Sequence, residues 1–436
     1  MSFTSGAPSW RTRDVLVSGP ARAVSELGNA LAVVALVLRM HDDGGGARWV
    51  AAVLLADALP IALLSPLAGV LVDRFDNRRI IVVASLLQAG VCTALAFSSS
   101  TPVVLALVAL LGACTALTGP AWGALVRRMV VPEALAGVFG LQQTLSGLAL
   151  VAGPALGGLL MGAYGPRVPL LVDAATFLAV TGAALAIRVR RRPAAERAAR
   201  GTAASSPRMR DGFLLIWQDR PLAAVLAMLC AFILVGEVVN VAEVFLVRDV
   251  LGGSATAFGL VSAAWAVGLL AGGVLGGTRS TAVQQLRAVL GSALGLAAVS
   301  GLAGAAPSVP ALVGLFLLGG VANGVLGVCV LAWTMLRVDD AVIGRVGAAL
   351  NGLTRTAGIA ALAVGGAAVG LLEPRQVFGL AGAAGIAVVL GFLPVLSPVA
   401  SIGAPRRGSE TVLDGDEGSL VATARTEGPL HAEGVT

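Results

Sequence analysis

The sequence predicts an all-α membrane protein whose twelve transmembrane helices form two pseudo-symmetric six-helix bundles. Three observations carry that prediction: twelve apolar stretches of spanning length, turns between them that alternate between arginine-rich and arginine-poor, and a repeat relating the two halves of the chain. With 57% hydrophobic and only 12% charged residues over 436 positions, the chain carries more apolar surface than one aqueous core can bury. The apolar runs are continuous rather than alternating, which argues against a β-barrel. Lipid gives no hydrophobic drive between helices, so the 57 glycines suit helices that cohere by close backbone contact.

In chain order, apolar runs predict helices over 14–39, 49–72, 79–98, 102–126, 135–162 and 167–187, then over 221–247, 255–277, 286–306, 309–336, 347–371 and 376–398. The first six form an N-terminal bundle over 14–187 and the last six a C-terminal bundle over 221–398. Residues 1–13 are a polar tail without the basic, apolar and small-residue order of a signal peptide, so no cleavage is expected. Residues 188–220 (including Arg-Val-Arg-Arg-Arg-Pro from Arg188) are too polar to insert and too poor in large apolar side chains to fold alone, and read as a linker. Residues 399–436 read as a disordered tail.

An even number of spans puts both termini on one side. That side holds most of the arginines, among them Arg74, Arg78, Arg79, Arg127, Arg128, Arg279, Arg337 and Arg345, while Arg39, Arg48, Arg167, Arg248 and Arg375 fall on the other. The positive-inside rule therefore places both termini in the cytoplasm, with the chain multi-pass in a bacterial cytoplasmic membrane. All 30 basic residues are arginine, a usage that fits a GC-rich bacterial genome, and topology accounts for the net charge of +6 without a nucleic-acid partner. Cys92, Cys114, Cys230 and Cys329 sit inside apolar runs without metal-ligand spacing, as free packing thiols would. His41 and His431 lie in a loop and in the tail, no Ser/His or metal constellation forms, and no P-loop is present. Neither an enzyme, a metal nor a cofactor is expected.

Sliding the halves past one another by about 208 residues superposes Gly69 on Gly277, Val138 on Val346, Gln143 on Asn351 and the pair Gly157-Gly158 on Gly365-Gly366. Two parallel halves related by an axis along the membrane normal are a transporter architecture.

After the second span comes Gly69-Val-Leu-Val-Asp73-Arg74-Phe75-Asp76-Asn77-Arg78-Arg79. A glycine one turn before the acid lets a neighbouring helix approach, Asp73 suits a helix N-terminus, and Arg78 or Arg79 can complete a charge-assisted latch. This segment resembles the loop 2–3 signature of the major facilitator superfamily, G-x-x-x-D-R-x-G-x-R-R, with Asp76 where the general pattern has glycine. In that departure the chain is similar to the bacterial drug and siderophore exporter branch of macrolide-efflux and enterobactin-exporter type. Further segments agree with that branch: Ser25-Glu26-Leu27-Gly28-Asn29, Gly119-Pro120-Ala121, Val131-Pro132-Glu133, Val172 to Phe177, and Gly344-Arg345-Val346. In the fifth span Gly153-Pro154-Ala155-Leu156-Gly157-Gly158 resembles the exporters' G-P-x-x-G-G. The resemblance spans about residues 20 to 398 and implies the major facilitator fold, export rather than uptake, and a binding site between the halves touched by the first, fourth, seventh and tenth helices. The upstream glycines of the full antiporter pattern are only partly present (Gly147, but Ala149), and the fourth-span basic signature of many proton-driven exporters is absent.

A charge at mid-bilayer costs about 2.5–3.5 kcal/mol, so each intramembrane charge needs a partner, a cavity or a proton. Glu26 has Arg22 one turn away, and Glu237, Asn240 and Glu243 share one face of the seventh helix by their spacing of three. Glu26, Glu237 and Asp57 are the proton-coupling candidates, with structural pairing to Arg22 or Arg355 as the competing account for the first two. Asp57 and Asp173 are expected nearer the outer surface and Glu243 in water, with helix-packing or interfacial roles favoured over coupling for all three. Asn29, Asn240, Asn323, Trp333, Asn351 and Arg355 are the candidate cavity residues, and Trp122, Trp265 and Trp333 could stack on a planar compound or simply pack. Together these predict a monomeric secondary transporter whose partners are the lipid bilayer, a small amphipathic organic substrate and protons. An uncoupled facilitator, an importer, or a non-transporting receptor or scaffold remain alternatives.

Overall fold

A computed structural model describes residues 13–44, 46–188, 217–338 and 343–401. Most of the linker expected over 188–220, and nearly all of both terminal tails, lie outside these residues.

Among the described residues there are twelve long helices: α1 Arg13–Asp42, α2 Gly46–Arg74, α3 Asn77–Phe97, α4 Thr101–Met129, α5 Leu135–Tyr164, α6 Arg167–Ala186, α7 Arg220–Phe245, α8 Ala255–Gly277, α9 Ala282–Gly304, α10 Val309–Arg337, α11 Ile343–Leu371 and α12 Pro374–Ser401. Each contains a stretch long and apolar enough to cross a membrane. The protein is a multi-pass membrane protein. Several helices run a turn beyond the apolar runs seen in the sequence, because capped ends carry polar residues that hydropathy alone excludes. The side chain of Asp76 accepts a hydrogen bond from Arg78 N at 2.9 Å to cap α3, Asp219 does the same for Leu222 N at 3.2 Å on α7, and Thr281 and Gln284 form a reciprocal capping box on α9. Asp76, the departure from the family pattern, thus starts the third helix.

The repeat is reproduced helix by helix. In the first half α1 packs on α5 and α6, α4 on α2 and α3, and α3 on α6; in the second half α7 packs on α11 and α12, α10 on α8 and α9, and α9 on α12. Between the halves α5 meets α8 and α2 meets α11, the same pair of contacts exchanged by the pseudo-twofold. The glycine pairs show why. At Gly157 a Cβ would lie 3.2 Å from Leu31 Cα on α1, within its own half, while at Gly158 it would lie 2.5 Å from Ala255 O on α8, across the interface. Gly365 and Gly366 repeat this, the first against α7 and the second against Ala51 of α2. Side chains at these sites would hold the backbones apart, and in lipid close contact is the cohesion available.

Three apolar cores follow. The largest crosses both halves at the end of the bundle that carries the α1–α2 and α7–α8 turns, joining Leu38 and Val50 to Val244, Val261, Leu312 and Phe378. At the opposite end, where α1 and α7 begin, each half has a core of its own: Val15, Ile81, Leu125 and Val180 in the first, Leu226, Leu286, Trp333 and Leu396 in the second. Among the described residues, the core shared by the halves lies at one end.

Candidate functional site

The second half encloses a chamber of about 360 Å³ walled by α7, α8, α9, α10 and α12. Its polar groups are Glu237, Asn240 and Glu243 from α7, Ser262 from α8, Ser300 from α9 and Asn323 from α10. Trp265, Phe316 and Phe378 supply aromatic walls, Trp265 standing edge-on to Phe316 with centroids 5.8 Å apart. The spacing of three on α7 does deliver its acids and amide to one face. Asn240 Nδ2 donates to Glu237 Oε2 at 3.0 Å, and Ser262 Oγ donates to Glu243 Oε1 at 2.8 Å. Among the described residues neither carboxylate has a basic partner, so the chamber holds two acids bonded only to neutral groups.

The first half has two smaller cavities. One, of about 140 Å³, is lined by Asn29, Asp57 and Thr115 among apolar side chains; the other, of about 180 Å³, by Arg22, Glu26, Asn29, Gln88, Thr118 and Trp122 with their neighbours. Glu26 is ion-paired with Arg22 at 3.3 Å, the competing account given for it above, and Arg22 also donates to Gln142 Oε1 at 3.5 Å. Asp57 has no hydrogen-bonding partner among the described residues.

Other expectations change on inspection of the packing. Trp333 does not reach a cavity: it is 1% exposed in the core of the second half, with the Arg337 guanidinium 5.0 Å from its ring centroid. Asp173 is 0% exposed, in line with the helix-packing role expected of it, whereas Glu243, expected to be wet, is 7% exposed. Asp173 accepts from Cys92 Sγ at 3.3 Å and from Thr176 Oγ1 at 3.1 Å, and lies against Gly28 of α1, where a Cβ would come within 2.3 Å of its Oδ1. It is a packing group between α1, α3 and α6. Arg355 is exposed on α11, and the side chain of Asn351 lies outside the described residues.

In the loop 2–3 segment Asp73, Arg74 and Arg79 are exposed, and Arg78 Nη2 donates to Leu185 O at the end of α6. A Cβ at Gly69, or at its repeat partner Gly277, would meet nothing within 4 Å among the described residues. The fifth-helix motif is fully engaged. Gly153 and Gly157 seat α1, while Gly158 faces Gly259 of α8, whose own Cβ would lie 2.4 Å from Pro154 O.

Residues 20–247 match the sequence family described as Major Facilitator Superfamily. The chain belongs to the major facilitator superfamily. Membership places it among membrane transporters rather than enzymes. Its curated relatives include the macrolide efflux protein A of Streptococcus pyogenes, 26% identical over 58% of this chain and 64% of the relative, and the multidrug efflux pump Tap of Mycobacterium tuberculosis, 31% identical over 36% and 40%. The matches thus span less than two thirds of these relatives' lengths. Among solved structures, the fold of this superfamily member is similar to a bacterial homologue of the iron transporter ferroportin in an inward-facing state, with TM-score 0.70 at 15% identity over 89% of this chain and 99% of that one. The nucleoside transporter NupG aligns with TM-score 0.68 at 12% identity, over 88% and 99%.

Proposed function

We propose that this protein is a secondary transporter that exports a small amphipathic organic compound, neutral or cationic, from the bacterial cytoplasm by alternating access, driven by inward proton flow. The observation that carries this reading is the acid-bearing chamber beside an interface whose shared apolar core, among the described residues, lies at one end. A fold cemented at one end and divided into separate cores at the other has the form of one access state. With both termini cytoplasmic, as the arginine distribution indicates, the separated end faces the cytoplasm and the cemented end faces outward. Twelve helices then span the cytoplasmic membrane as a monomer, with a cytoplasmic linker between bundles ending near 187 and beginning near 221.

Substrate would enter between the halves and lie against the second-half chamber, Trp265 and Phe316 offering apolar faces and Glu237, Asn240 and Asn323 polar ends. A carboxyl bonded only to neutral groups can take up and release a proton without breaking an ion pair, which favours Glu237 and Glu243 over the paired Glu26 as coupling groups. Asp57 is the first-half candidate. In the opposite access state Asp73 would serve the latch with Arg78 or Arg79, and Asp73→Asn is expected to cripple flux while membrane insertion stays intact.

The experiment is vesicle flux. Purified protein in proteoliposomes, offered a macrolide and a panel of amphipathic cations, should accumulate at least one of them against its gradient when a pH gradient is imposed. Transport insensitive to that gradient would favour an uncoupled facilitator, and absence of flux for every compound a receptor or scaffold.

A further inference from the structure

From sequence alone His41 is an unassigned residue near the first turn. In the folded chain it lies at the centre of a polar clasp on the cemented end. Its Nε2 is 2.8 Å from Asp249 Oδ1 at the end of α7, and its Nδ1 is 3.0 Å from Asp42 Oδ1. Arg248 Nη2 donates to the same Asp42 oxygen at 2.9 Å, and Phe245 stands edge-on to the imidazole with centroids 5.2 Å apart. The ring is largely covered, at 12% exposure, whereas Asp42 and Asp249 are 37% and 54% exposed and therefore wet. The second-half side of the clasp is rigidly presented. A π-helical turn over Leu246–Val250, the Gly253 N to Val247 O hydrogen bond of 2.8 Å and the Arg248 Nη1 to Gly253 O bond of 3.1 Å fix Arg248 and Asp249 toward α1.

A neutral imidazole has one N–H and one lone pair. With a carboxylate oxygen in hydrogen-bonding range of each nitrogen, the neutral ring leaves one lone pair facing another, whereas the imidazolium donates at both. The remaining charges nearby do not replace that proton. On α1, Arg39 is committed to Leu95 O, Ser98 O and Asp43; on α2, Arg48 lies over Trp49; and α8 carries no charged residue. Positions 41 and 249 are also equivalents in the repeat, so the bond between them crosses the pseudo-twofold axis, where any parting of the halves must break it.

We propose that His41 is a proton-binding gate on the outer face: protonation from outside strengthens the clasp between α1 and α7, beside the Arg248–Asp42 ion pair that is present in either state, and favours the shut outward end, and deprotonation weakens it. The sign suits an exporter, since a proton arriving outside after substrate release would return the protein to its cytoplasm-facing state. Acid therefore favours the fastened state and base weakens it. This inference rests on the orientation proposed above, and on proton coupling only for its physiological meaning.

The test is a distance measurement by electron–electron double resonance between spin labels at Ser99 and Ser308, on loops of opposite halves at the clasped end, in full-length protein whose four native cysteines are replaced. Between pH 8.5 and 5.5 the ratio of short to long distances should rise on the order of tenfold, the worth of one charged hydrogen bond. His41→Gln should abolish that pH response, and so should Asp249→Asn, an exposed substitution that keeps the proposal testable if the first variant is poorly folded. A pH response that persists unchanged in a folded variant of either kind overturns the proposal, as does a wild-type protein without one. Flux separates the two readings: a gate that responds to pH through His41 in a protein whose transport ignores the pH gradient would refute proton antiport and leave the gate standing.

Discussion

The two halves place the same three repeat positions around a cavity and fill them with different chemistry. Asn29, Asp57 and Thr115 line the smaller first-half cavity; their equivalents Glu237, Trp265 and Asn323 line the larger second-half chamber. The backbone beneath is conserved in geometry: a Cβ at Gly112 would meet Asp57 O at 2.3 Å, and at the equivalent Gly320 it would meet Trp265 O at 2.1 Å. One frame thus carries an acid on the second helix of one half and an indole on the second helix of the other. The remaining acids diverge as well. Glu26 is neutralised by its own helix through Arg22, whereas Glu237 and Glu243 hold only an amide and a hydroxyl. Symmetry of packing does not impose symmetry of charge, and the proposed assignment of exchangeable charge to Glu237 and Glu243 leaves Asp57 as the first-half candidate.

The largest expected effect tests that assignment. The double variant Glu237→Gln with Glu243→Gln should abolish pH-gradient-driven accumulation in proteoliposomes, while Glu26→Gln should keep it; loss of coupling in the Glu26 variant alone would reverse the comparison. Next comes the shared frame. Gly112→Ala and Gly320→Ala each push a methyl into a backbone carbonyl of the neighbouring helix, so each should destabilise by about 1–3 kcal/mol, read as a lowered Tm in detergent. A large cost in one and none in the other would break the structural equivalence, and Gly277→Ala, which faces open space, is the control. Smaller again are the caps of the third helix in each half. Asp76→Ala and Thr281→Ala should each cost about 1 kcal/mol, so comparable drops in Tm are expected from two different capping chemistries. The smallest effect is the Arg22–Glu26 pair, both side chains 32% exposed, where a double-mutant cycle should return a coupling of about 0.2–1 kcal/mol.

Twelve spans and the repeat were legible in the sequence because hydropathy and glycine placement report directly on what lipid and close packing require. The α7 triad was legible for the same reason, since a spacing of three needs only helical geometry to become a face. Depth and direction were not. Glu243 looked wet by its place near the end of its helix, yet Ser262 covers it from α8, and no linear pattern marks that neighbour. Trp333 read as either a stacking platform or a packing group, because nothing local says whether a tryptophan turns to a cavity or to a core; it packs in the core. The clasp was missed because His41, Asp42, Arg248 and Asp249 look like ordinary turn charges. The signal was present all the same: the shift that superposes the glycine pairs also superposes His41 on Asp249.

The division of the apolar cores bears on how the molecule is made. Every residue of the first half's private core precedes Arg188, so that bundle can finish its internal packing at the insertion machinery while the seventh helix is still unmade. The joint between the bundles must wait for Val241 to Val261 to emerge.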